Sequence, residues 1–137
     1  MSLGVKLHTV NSGLLVQSID NGSITSDDLK IGFCHTRLSI IDLNVSSNQP
    51  MRSHDNKYIL VFNGEIYNYL ELKNELIGKG RRLDTNSDTE VLLQLYDEYG
   101  PDMLLRLRGM FAFAIWDVEK KGMFLARDPY GIKPLYY

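Results

Sequence analysis

The order of strand-like and helix-like segments constrains the fold of this chain most. Residues 58–62 (YILVF) form a short apolar run typical of a buried strand, and helical patterns follow over residues 68–77 and 87–99. Residues 110–127 then hold two strand-like runs around a turn, the pattern of a β-hairpin. Strands on both sides of a helical centre predict an α+β fold with layered antiparallel sheets.

Capping residues predict where the two helices begin. Asn68 stands three positions before Glu71, and Ser87 stands three before Glu90, which is the spacing of a capping box. Gly100-Pro101 ends the second helix and suits the start of a further short helix.

The first 50 residues carry weaker signals. Short apolar patches separated by the turn-forming residues 11–13 and 20–22 predict hairpin-linked strands within residues 1–30. Residues 31–43 (IGFCHTRLSIIDL) predict a strand that leads into a loop over residues 44–50. Cys34, the single cysteine, is interpreted as a buried residue of this strand, because a nucleophilic role would require a base beside it.

Composition excludes several classes of function. A length of 137 residues with 44% hydrophobic content predicts one globular domain. A net charge of -2 does not indicate binding to nucleic acid. The longest apolar run, residues 110–116, falls far short of the roughly 20 residues that cross a membrane. No secretion signal is evident, so a cytoplasmic location is expected. Cys34 and three scattered histidines, His8, His35 and His54, have no metal-ligand spacing, and no metal site is expected.

Two adjacent sites follow the apolar strand of residues 58–62. Asn63-Gly64 predicts a hairpin turn, or alternatively an oxyanion hole made of a side-chain amide and a backbone N–H. Glu65 comes next, and is either a solvated strand-end residue or a partner for a substrate ammonium group.

Two further charged residues allow both a structural and a binding role. Arg37 interrupts an apolar segment, where a guanidinium requires a carboxylate partner from the protein or from a ligand. Asp88 lies where a helix begins, which is explained by capping or by ammonium binding. Together with residues 63–65 they would complement an amino acid such as glutamine, although spacing alone reveals no nucleophile with its base.

An ordered series of motifs resembles the glutaminase (class II glutamine amidotransferase) domain of asparagine synthetases. The motifs are RLSIID at 37–42, QPM at 49–51, NGEIYN at 63–68, SDTE at 87–90, GMFAFA at 109–114 and RDPYGIKPLY at 127–136. The resemblance covers residues 31–137, whereas residues 1–30 match poorly and are divergent or truncated. It identifies residues 1–137 as a single domain of this type.

The resemblance implies an N-terminal-nucleophile hydrolase-like fold, an αββα four-layer sandwich with two antiparallel sheets. It also implies a glutamine site. Arg37 would bind the substrate carboxylate, Leu38, Ser39, Ile40 and Ile41 would line the pocket, Asn63 and Gly64 would form the oxyanion hole, and Glu65 and Asp88 would hold the α-amino group.

The chain departs from the family at its start. The family begins Met-Cys-Gly-Ile and uses the exposed cysteine as nucleophile, whereas this sequence begins Met1-Ser2-Leu3-Gly4, and the segment after His8 is also divergent. We therefore expect a glutaminase domain that is catalytically silent in this form. A non-catalytic glutamine-binding or partner-binding descendant is one alternative. Others are that residues 1–3 replace a native Met-Cys-Gly start, or that Ser2 serves as nucleophile.

The resemblance also sets expectations for cofactors and partners. No cofactor is expected in this domain, because ATP and Mg²⁺ would belong to a synthetase domain. Glutamine is the expected small-molecule ligand, and a synthetase domain is the expected partner in a full-length relative. Divergence of the first strand would expose a sheet edge, so self-association is also predicted.

Overall fold

A four-stranded antiparallel sheet with two helices on one face forms most of the described structure. The computed structural model describes residues 49–136 and the backbone of residues 8–10 and 13–15. In chain order the strands are β1 (His8–Val10), β2 (Gly13–Leu15), β3 (Met51–Arg52), β4 (Tyr58–Ile66), β5 (Gly109–Asp117) and β6 (Gly122–Arg127). The helices are α1 (Tyr69–Gly78), α2 (Asp88–Tyr99) and a 3-10 helix (Gly100–Arg106). The larger sheet has the order β3-β4-β5-β6, and β1 pairs with β2.

The predicted hairpins are confirmed where the structure describes them. β1 and β2 pair antiparallel on either side of residues 11–12, and β5 and β6 pair antiparallel across the predicted turn. The other predicted hairpin near residues 20–22 and the strand over residues 31–43 lie outside the described residues.

The helix-facing side of the sheet carries the main core. Leu60 lies opposite Ile115 and Phe62 lies opposite Phe113, so that large side chains share one face of β4 and β5. This face packs with a buried set from the helices: Leu72, Leu76, Val91, Leu92, Leu95 and Met103. The period-2 pattern of the strands and the 3.6-residue pattern of the helices therefore meet in one cluster.

The opposite side of the sheet is buried as well. Ile59 pairs with Trp116 and Val61 pairs with Ala114, and all four residues are at most 7% exposed. Burial on both faces is typical of a sheet inside a layered fold. The α+β prediction is confirmed. Among the described residues, no helix combines the length and apolar character that a membrane crossing requires.

Strand β4 does not stop where the sequence predicted. It runs through Asn63-Gly64 to Ile66, and each of its nine residues has a partner on β5. The chain turns only at residues 67–68. The turn prediction at Asn63-Gly64 was wrong because pairing with a long neighbouring strand overrides the local turn preference of this dipeptide.

The helix starts were predicted correctly, but neither capping box forms. The Asn68 side chain makes no cap bond; its Nδ2 donates to the Arg106 carbonyl and its Oδ1 accepts from the Arg108 N–H, both at 3.0 Å. Ser87 does cap α2, because its Oγ accepts from the Thr89 N–H at 3.1 Å. Glu90, however, bonds to the loop before the helix and not to Ser87.

Candidate functional site

The end of β4 presents the first pair of candidate residues. Asn63 and Gly64 are half-buried and lie in the strand opposite Ala112 and Phe111. Gly64 has φ +154°, and a Cβ placed on it would lie 2.1 Å from the Met110 carbonyl oxygen. Only glycine fits so close to the backbone of a neighbouring strand, and its N–H is therefore held in a defined position.

Asp88 brings the start of α2 to the same place. Its Oδ2 accepts a hydrogen bond from the Ile66 N–H at 3.3 Å, so the first residue of the helix contacts the last residue of β4. The sequence separates these two residues by 22 positions. Strand pairing and helix packing thus join two motifs that the sequence keeps apart.

The Asp88 carboxyl has an unusual electrostatic environment. Burial raises its pKa above the usual value, and the negative charge of Glu65 raises it further, while the backbone N–H of Ile66 opposes the shift. Glu65 itself is exposed. An external ammonium group between these carboxylates would offset the cost of the Asp88 charge, as is typical of a site for a cationic ligand group.

The loop before α2 is organised by a buried acid. Glu90 is 6% exposed and accepts from the Asp84 N–H at 2.9 Å, the Thr85 N–H at 2.6 Å and the Thr85 hydroxyl at 2.6 Å. Lys73 of α1 donates to the Thr85 carbonyl at 2.8 Å. These bonds fix the loop on which Ser87 and Asp88 are presented.

Among the described residues, one group of side chains has metal-ligand types in proximity. His54, Asp84 and Glu90 offer ligand atoms that lie within 4.8 Å of one another. His54 Nε2 is 3.0 Å from Asp84 Oδ2, and Asp84 Oδ1 accepts from Arg82 at 2.7 Å. With Glu90 committed to its loop, ordinary surface ion pairs account for this group.

The structure brings together four of the predicted site residues, Asn63, Gly64, Glu65 and Asp88. The other five, Arg37, Leu38, Ser39, Ile40 and Ile41, lie outside the described residues. The sequence reasoning missed Gln49 and Thr89, two buried polar residues at the junction of β4 and α2. The signal was present, since Gln49 begins the QPM motif at residues 49–51 and Thr89 follows Asp88 directly.

Comparison with known proteins identifies the family of this chain. Residues 7–137 match the glutamine amidotransferase domain family. Asparagine synthetase [glutamine-hydrolyzing] 1 of Bacillus subtilis is 52% identical over 110 residues, which are 80% of this chain and 17% of that protein. A putative asparagine synthetase of Mycobacterium tuberculosis is 51% identical over 109 residues, which are 76% of this chain and 17% of that protein.

A solved structure resembles the fold. The glutamine phosphoribosylpyrophosphate amidotransferase of Bacillus subtilis superposes with a TM-score of 0.62 at 31% identity, over 77% of this chain and 25% of that chain. This likeness confirms the N-terminal-nucleophile hydrolase-like α+β fold. The chain spans about 17% of the length of the asparagine synthetases that it matches. Its motifs, fold and relatives agree, and the chain belongs to the glutamine amidotransferase domain family.

Proposed function

We propose that this chain forms the glutamine site of an asparagine-synthetase-type enzyme, the domain that releases ammonia from glutamine. The observation that carries the proposal is the Asp88–Ile66 hydrogen bond at 3.3 Å, because it holds the Asp88 carboxylate at a residue only two positions beyond Gly64. The two residues from Gly64 to Ile66 span about 7 Å of strand. This is the scale of one extended glutamine from its α-amino nitrogen to its amide oxygen.

Each end of glutamine has a chemically matched partner in this arrangement. The α-ammonium group would lie against Asp88 and Glu65, where it would offset the cost of the half-buried Asp88 charge. The side-chain amide would lie at Asn63 and Gly64, whose N–H groups would donate to the oxygen that gains charge when the amide is attacked. The α-carboxylate would pair with Arg37.

Turnover needs a nucleophile that this sequence does not offer at its second position. The residue there is Ser2, and the single cysteine is Cys34. We therefore propose that a polypeptide of this sequence binds glutamine without hydrolysing it. In a longer relative, ammonia would pass to a synthetase domain that supplies the ATP and Mg²⁺ chemistry, and the setting would be the cytoplasm.

The experiment compares this chain with a variant whose start is rebuilt as Met-Cys-Gly by Ser2→Cys and Leu3→Gly. Glutamine binding is measured by calorimetry and glutamate release by a coupled assay. We expect both chains to bind and only the rebuilt chain to turn over. Release by the original chain would mean that Ser2 or Cys34 acts as nucleophile. Binding by both chains without turnover would favour a non-catalytic glutamine-binding domain.

Arg37 provides a second test of the site. Arg37→Ala removes the charged partner of the ligand carboxylate and should weaken glutamine binding by about 2 to 5 kcal/mol. Arg52→Ala, at the exposed residue of strand β3, is the matched control. Unchanged affinity in Arg37→Ala would remove this residue from the site.

A further inference from the structure

Gln49 lies at the centre of the junction but has no place among the residues expected to touch glutamine. It is 8% exposed and stands two residues before β3. A buried primary amide must find both acceptors and donors, because leaving them unpaired is costly. The hydrogen-bond partners of Gln49 therefore indicate the role of its side chain.

Its carbonyl oxygen completes the hydrogen bonding of β4. Strand β3 pairs only Met51 with Leu60 and Arg52 with Ile59, and the same register carried back would put Gln49 opposite Phe62. Gln49 Oε1 accepts from the Phe62 N–H at 2.5 Å. The side chain thus takes the place of a strand carbonyl just before β3 begins. The N–H that it accepts from belongs to Phe62, the residue directly before Asn63.

Its amide nitrogen points to the helix. Gln49 Nε2 lies 3.5 Å from Thr89 Oγ1, a long hydrogen bond, and Thr89 is 4% exposed. Thr89 follows Asp88 in the first turn of α2. One side chain therefore reaches the residue before Asn63 and the residue after Asp88.

We propose that Gln49 is a positioning residue that sets the separation between Asn63-Gly64 and Asp88. The proposal deepens the function proposed above and rests on it. Sites that hold both ends of a small ligand are sensitive to displacements near 1 Å, so a bridge between their two halves controls affinity. The Asp88–Ile66 bond is the second link across the same junction. Loss of the Gln49 bridge should weaken the Asp88–Ile66 bond.

Two variants separate the links of the bridge. Thr89→Val keeps the shape of the side chain and the Gln49–Phe62 bond but removes the acceptor on α2. Gln49→Met keeps the length of the side chain and removes both bonds. Gln94→Met, on the half-buried side of α2, is the matched control. Each chain is assayed at a temperature well below its own unfolding midpoint.

Glutamine affinity is the first readout. We expect Thr89→Val to lower it about 3- to 10-fold, the effect of one neutral hydrogen bond, and Gln49→Met to lower it further. Gln94→Met should leave it unchanged. In chains with the rebuilt Met-Cys-Gly start, the same two variants should raise KM. Lower unfolding midpoints with unchanged affinity and KM would assign Gln49 a purely structural role and overturn the proposal.

Amide hydrogen exchange is the second readout and does not depend on glutamine. In Gln49→Met, the Phe62 and Ile66 N–H groups should exchange at least about 10-fold faster, while Leu95 in the middle of α2 keeps its protection. In Thr89→Val, only Ile66 should respond. If the unaltered chain fails to bind glutamine, the proposed function is wrong, but hydrogen exchange still tests whether Gln49 links β4 to α2. Unchanged Ile66 protection in both variants would overturn the positioning role of Gln49.

Discussion

Two aspartates, the half-buried Asp88 and the buried Asp128, have opposite electrostatics. Asp88 begins α2 and accepts a bond from the N–H of Ile66 on β4, whereas Asp128 follows β6 and accepts one from Phe111 on β5 at 3.3 Å. Asp128 also accepts from the N–H groups of Tyr130, Ile132 and Lys133 at 3.1, 2.9 and 3.0 Å. Both carboxyls are affected by burial and by backbone N–H donors, and the balance between burial and these donors distinguishes the two regions.

Their pKa values move in opposite directions for this reason. Burial raises the pKa of both carboxyls, but the backbone donors of Asp128 outweigh burial and bring its pKa below the usual value. At Asp88 burial prevails, helped by the charge of Glu65. A carboxylate surrounded by its own N–H groups organises a turn, while one that remains electrostatically strained is suited to bind an external cation.

Glycine substitutions should give the largest difference between the two regions. Gly64→Ala would place a Cβ 2.1 Å from a backbone carbonyl of β5, whereas Gly131→Ala in the Asp128 turn would meet only the flexible Arg127 side chain, 2.7 Å away. We expect a loss of unfolding free energy on the order of 3 kcal/mol or more for Gly64→Ala. For Gly131→Ala, with φ +65°, we expect about 1 kcal/mol. Urea unfolding measures both, and equal losses would contradict the steric argument.

Ligand affinity should separate the two aspartates next. Asp88→Asn removes the charge that faces the ammonium group and should weaken glutamine binding about 10- to 100-fold. Asp128→Asn should leave the affinity within about 2-fold, because no ligand group is expected at this turn. Calorimetry on both variants tests this. A larger effect from Asp128→Asn would place the ligand elsewhere.

Stability should respond to the same two substitutions with opposite signs at neutral pH. The lowered pKa of Asp128 means that its ionised form stabilises the fold above the usual carboxyl pKa of 3.8, and that this contribution is lost as pH falls through the lower folded-state pKa. The raised pKa of Asp88 means the reverse: its ionisation costs stability once pH rises through the folded-state pKa.

Asp128→Asn should therefore destabilise the chain at pH 7, and Asp88→Asn should stabilise it modestly. The effect of Asp128→Asn should shrink as the pH falls below 3.8, whereas that of Asp88→Asn should already be lost as the pH falls through the raised folded-state pKa toward 3.8. Thermal unfolding across this range measures them. Destabilisation by Asp88→Asn at neutral pH would mean that its bond to Ile66 outweighs the cost of burial.

Glu65 should show the smallest effect. Its side chain is exposed, so its attraction for the ammonium group is screened, and Glu65→Gln should weaken glutamine binding about 2- to 5-fold. High salt should remove most of this difference but little of the Asp88 effect. Glu71→Gln, exposed on α1, is the control. Equal losses from Glu65→Gln and Asp88→Asn would show that burial does not distinguish the two carboxylates.

Local patterns predicted the elements well and their ends less well. The helices start and stop close to the predicted residues because Ser87 and Gly100-Pro101 act within one helical turn. The errors at Asn63-Gly64 and Asn68 arose where distant partners compete with local preference. Pairing with β5 continues β4 through the expected turn. The Asn68 side chain, expected to cap α1, bonds instead to the carbonyl of Arg106 and the N–H of Arg108.

The sequence by itself determined the family, the α+β character and the candidate residues, because motifs and periodicity are local properties that a linear reading contains. Only the tertiary structure decided that Gly64 contacts β5, that Asp88 bonds to Ile66 and that Gln49 reaches both Phe62 and Thr89. These contacts join residues 13 to 46 positions apart, and register and helix packing set them. The complete fold likewise sets the balance between burial and backbone N–H donors that gives Asp88 and Asp128 their opposite pKa shifts.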